Sequence, residues 1–108
     1  MNNDNTDFTR AMYLLYHRTD RETGYKATGF RALLDQQGGE ATAIQLIHAS
    51  KPSEGYTKLC MMNPPRLDLT VAAAVVENGR WRTLFPPETV ELAERRLIQY
   101  GYRSRSSP

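Results

Sequence analysis

A single cysteine, Cys60, among 108 residues excludes an internal disulfide and any cysteine-rich metal site. A reducing, cytoplasmic setting is the expectation. Excess charge is also scarce. Fourteen Lys and Arg against 12 Asp and Glu leave a formal +2, which permits an anionic partner without demanding one. Long apolar runs are missing. The longest, Val71 to Val76, falls far short of the roughly 20 residues that span a bilayer, so no membrane association is expected. The stretch from Met1 to Asp7 lacks the basic-then-apolar pattern of a signal or transit peptide. HExxH, HNH-like and Walker patterns are absent too.

What is present is helical periodicity. Apolar residues make up 40% of the chain, enough for one core in a chain of this length. The spacing predicts an all-α fold, a compact single domain of five to six short helices. Residues 1–6 are expected to be a disordered lead-in, 7–102 the helical domain and 103–108 a flexible basic tail. From Phe8, the positions Phe8, Ala11, Met12 and Leu15 form one stripe. The polar stretch Thr19 to Gly24 reads as a loop. A second helix from about Lys26 carries Phe30, Leu33 and Leu34 on one face to Gln37. Gly38 then stops it, since glycine adopts the left-handed conformation without a Cβ clash. A third helix holds Ala43, Ile44 and Ile47 and ends before Pro52, giving a central helix-GlyGly-helix hairpin.

Ser53 reads as the N-cap of a short helix containing Tyr56, Leu59 and Cys60, a prediction weakened by Gly55. Asn63, Pro64 and Pro65 break the chain. Val71 to Val76 suits either a buried strand or a helix, and its three alanines favour helix, with Asn78 and Gly79 as its end. Trp81, Leu84 and Phe85 form an apolar cluster between turn signals. Pro87 opens the last helix, in which Val90, Ala93, Leu97 and Tyr100 face one way, and Gly101 stops it.

Four kinds of chemistry can be weighed against this frame. A helix-turn-helix fits the glycine turn, and Thr42, Gln45 and His48 could touch DNA, but Glu40 sits where base or phosphate contacts would form and a plain structural hairpin also uses a glycine turn. A nucleic-acid surface is the second candidate, drawn from Arg80, Arg82, Arg95, Arg96, Tyr102, Arg103 and Arg105. Arginine interleaved with aromatic residues attracts single strands and phosphate, whereas Glu88, Glu91 and Glu94 oppose it. A partner-binding surface is the third, formed by Tyr56, Met61, Met62 and Trp81, because methionine repacks readily against different partners. Catalysis would have to assemble His17, Asp20, Glu22 and His48, or use Cys60. No spacing fixes their geometry, so no catalytic residue, metal site or cofactor is assigned.

Across Gly24 to Tyr102 the chain resembles a recurrent family of small uncharacterised bacterial helical domains. The matching residues include Gly24 and Tyr25, Leu33 and Leu34, Gly38 and Gly39. Further matches are Gly55 and Tyr56, Leu67 to Thr70, Trp81, Arg96, Gly101 and Tyr102. Some members accompany nuclease, restriction or phage-defence genes, so the resemblance implies a DNA-processing or defence setting. An acid common after the Leu-Thr element is replaced here by Val71 and Ala72, and no catalytic residue carries over. The expected function is therefore a non-enzymatic accessory module that binds a protein partner or nucleic acid. A small metal-dependent or acid-base enzyme such as a nuclease subunit, or an oligomerisation scaffold, are the alternatives.

Overall fold

A computed structural model describes residues 4–102, and within them the chain is all-α. Helix α1 spans Asp4–Thr23 and α2 Thr28–His48; α3, Glu54–Cys60, is followed by a 3₁₀ turn at Leu67–Leu69. Three further helices complete the domain: α4 (Val71–Glu77), α5 (Gly79–Leu84) and α6 (Pro87–Gln99). The Cα radius of gyration is 12.9 Å, matching the roughly 13 Å of a folded domain of about 100 residues.

Helix α4 is the hub. It is apolar almost all round, with Val71, Ala72, Ala73, Val75 and Val76 buried, as befits a helix with neighbours on every side. Those neighbours are α6, α5, α2 and the 3₁₀ turn. The buried Thr70 hydroxyl starts it, donating to the Leu67 carbonyl at 2.7 Å and accepting from the Ala73 amide at 3.1 Å. Phe8 of α1 is buried in the same core, its ring meeting Trp81 of α5 and Phe85 edge-on at 5.2 and 5.1 Å.

Three boundaries differ from the sequence expectation. Helix α1 begins at Asp4, inside the expected lead-in, because Asp4 and Asp7 of its first turn are both held by Arg80. It then runs through the stretch read as a loop. Arg18 and Glu22 pair one turn apart at 2.7 Å, Thr23 donates to the Thr19 carbonyl, and the stop falls at Gly24 with φ 77°. Finally, Asn78 and Gly79 begin a helix as well as ending one, since the Asn78 side chain accepts from the Arg80 amide and caps α5. The predicted caps Ser53 and Gly101 are in place. Residues 1–3 and the tail 103–108 lie outside the described residues.

At the glycine pair, α2 is one helical element broken at Gly38, whose φ of 82° and ψ of 174° are non-helical. The next residue faces a different constraint. Gly39 donates its amide to the Thr9 hydroxyl at 2.9 Å, and a Cβ there would lie 2.7 Å from the Thr9 Cα. One glycine supplies the angle and the other the close approach of α1.

Candidate functional site

Because α2 is broken, residues from both of its halves line one cleft. Phe30 and Leu33 come from the first half, Leu46 and Ile47 from the second. Leu15 of α1, Leu59 of α3 and Leu92 of α6 complete much of the apolar wall. The volume is about 340 Å³, at the lower end of ligand-sized pockets, which run from about 300 to 1,000 Å³. Phe30, Leu33, Leu46 and Leu92 are only partly buried, so the domain leaves large apolar side chains facing this space.

Polar groups sit around that wall, and most are already used. The Tyr56 hydroxyl donates to the Arg96 carbonyl at 3.2 Å, and burial pushes its pKa up to about 12. It therefore stays a neutral donor at physiological pH. Tyr25 is also shifted upward, first by burial and then by the nearby Glu54 carboxylate. Tyr25 packs beside Gly55, where an added Cβ would make only an ordinary contact with its hydroxyl at 3.8 Å. Lys26 reaches Asp20 at 3.5 Å. Arg96 closes the far end. It donates to the carbonyls of Leu46 at 3.1 Å and Ala49 at 2.6 Å, where α2 has run out of amide partners. Beside it, His48 Nε2 bonds the buried Thr89 hydroxyl at 2.7 Å, tying α2 to α6.

The arginines proposed for nucleic acid are engaged within the fold. Arg80 grips Asp4 and Asp7 at 2.7 and 2.6 Å and stacks 4.8 Å over Trp81. Arg82 pairs with Glu94 at 3.0 Å, and Arg95 with Glu91. Tyr102 is half-buried against the core. Arg103 and Arg105 lie outside the described residues. The proposed partner surface is split. Tyr56 and Trp81 are buried members of the core, Met62 is half-buried, and Met61 alone is 79% exposed.

No known protein family, curated protein or solved structure matches the chain. His17, Asp20, Glu22 and His48 are not gathered into one site. His17 is exposed beside the Tyr16 ring, and Asp20 faces Lys26. Glu22 is held by Arg66 at 2.6 Å and Arg18 at 2.7 Å, while His48 lies at the end of α2. Among the described residues no group of three or more His, Cys, Asp or Glu side chains could hold a metal ion. No described helix is long and apolar enough to cross a membrane.

Sequence reasoning missed the cleft. Phe30, Leu33 and Leu34 read as one buried face, yet only Leu34 enters the core. No local signal marks it: α2 packs against α1, α6 and α4, yet Phe30, Leu33 and Leu46 stay only partly buried.

Proposed function

We propose that this protein is a non-enzymatic binding module that receives an apolar segment of a partner protein in the cleft lined by both halves of α2 and by α1, α3, α4 and α6. The observation behind this is the partly buried apolar wall of Phe30, Leu33, Leu46 and Leu92 around about 340 Å³ of open space. Covering such a wall removes apolar surface from water, worth about 25 cal/mol per Å² before the costs of association. The internal pairing of Arg80, Arg82 and Arg95 favours a protein partner over nucleic acid, because phosphate contacts would have to displace carboxylates already in place. A DNA-processing or defence setting for that partner is part of the same proposal and rests on the sequence resemblance alone.

The test is affinity capture from an extract of the producing cells, with nuclease treatment, using the native chain and Leu33→Asp. Leu33 lines the cleft and lies outside the central core cluster, so its substitution should spare the fold. A protein retained by the native chain after nuclease treatment and lost with Leu33→Asp is the expected result. Capture that vanishes with nuclease, or that Leu33→Asp leaves unchanged, overturns the assignment.

A further inference from the structure

Three arginines of this domain are half-buried: Arg66, Arg82 and Arg96. Two of them are neutralised by acids. Arg66 holds Asp68 and Glu22, and Arg82 holds Glu94. Arg96 differs, since among the described residues no carboxylate lies within ion-pair distance and its two hydrogen bonds go to the Leu46 and Ala49 carbonyls. These carbonyls belong to the C-terminal end of α2, which presents only about half an elementary negative charge. Its charge is met by two helix C-termini, that of α2 and that of its own helix α6, and by no carboxylate among the described residues, at a position that lines the apolar cleft. Only two of its five N–H donors are used. The cleft's one lining acid, Glu54, makes no ion pair with Arg96, whose hydrogen bonds go to backbone carbonyls.

Charge complementarity therefore describes the occupant. We infer that the partner segment seated in the cleft carries an aspartate or glutamate that pairs with Arg96, next to apolar side chains that fill the space bordered by Phe30, Leu33, Leu46 and Leu92. The size agrees. With about 30 Å³ for each water-sized group, 340 Å³ holds on the order of ten such groups, which is two or three side chains of leucine size. Arginine suits the task because its planar fork can keep the carbonyls of α2 on some donors while turning others to a carboxylate. Desolvation of the pair by the surrounding apolar wall would make its absence costly for a wrong ligand.

This inference rests on the cleft being the binding site, and the experiment separates the two. Short random peptides displayed on phage would be selected against the full chain and sorted by whether Leu33→Asp abolishes their binding. Cleft-dependent peptides are expected to combine two or more large apolar residues with an acid. Replacing that acid by its amide should weaken binding at least tenfold, the scale of a charge-assisted hydrogen bond. Arg96→Gln should erase the difference between acid and amide forms. Should Arg96→Gln fail to fold, because α2 loses its carbonyl partner, the acid and amide peptides compared on the native chain at low and high salt decide alone. Cleft-dependent peptides with no preference for the acid overturn the pairing with Arg96 and leave the cleft standing. A selection yielding no peptide sensitive to Leu33→Asp overturns the cleft itself, and the pairing with it.

Discussion

A methyl group added at Gly39 would sit 2.7 Å from the Thr9 Cα and 3.1 Å from the Phe8 ring. Both atoms belong to α1, and the first is backbone, so neither can step aside cheaply. Gly39→Ala is expected to lower stability by about 1–3 kcal/mol, the usual cost of overpacking. Gly29 is the matched control, being helical with nothing within 4 Å of its added Cβ. Gly29→Ala should raise stability by up to about 1 kcal/mol, through lost freedom of the unfolded chain. Urea denaturation checks both, with the midpoint moving in opposite directions at constant slope. A Gly39→Ala midpoint equal to that of the native chain would disprove the close approach. The sequence marked this pair as a helix stop, and Gly38 does break the helix. It could not show that Gly39 answers to Thr9, a residue thirty positions earlier, because that constraint exists only once α1 is docked.

Between elements, the firmest electrostatic tie joins the end of α1 to the 3₁₀ turn. Arg66 bonds Asp68 through Nε and Nη2, both at 3.0 Å, and reaches Glu22 at 2.6 Å; Arg18 approaches the same two acids. Hydrogen bonds from Arg66 and then Arg18 hold the Glu22 carboxyl at about 2, well below its ordinary 4.5. Arg66 likewise lowers Asp68. A carboxylate whose folded pKa is depressed contributes stability that is full above the unfolded value and is lost as pH falls through the folded one. The thermal midpoint should therefore be level above about pH 5 and decline between about 4.5 and 2. Glu22→Gln should make that decline shallower across the same range, although the exposed position of Glu22 keeps the effect modest. An identical profile for the variant would remove Glu22 from the tie. None of this was legible in the sequence. There Thr19 to Gly24 reads as a polar loop, and it becomes helix because the Arg18 and Glu22 pairing and the distant Arg66 support its last turn.

At the scale of the whole molecule, the helical class and most helix positions follow from apolar spacing and caps, which act within a few residues. The cleft does not, because its walls come from α1, both halves of α2, α3, α4 and α6, and no local pattern encodes their meeting. One property belongs to the assembled domain alone. An apolar dye such as anilinonaphthalene sulfonate should bind the native protein and fluoresce while near-ultraviolet circular dichroism stays that of a packed core. Leu33→Asp should reduce that signal several-fold at unchanged stability. Dye binding only after the tertiary signal is lost would mean that the cleft is closed in solution.

The clasp between the first turns of α1 and the α5 region has a further consequence. Phe8 finds its ring partners at Trp81 and Phe85, and Asp4 and Asp7 find their cation at Arg80, each more than seventy residues later. A chain leaving the ribosome can lay α1 against α2 early. The first turn of α1 must still wait for α5, so it is secured only after all of α2, α3 and α4 has been made.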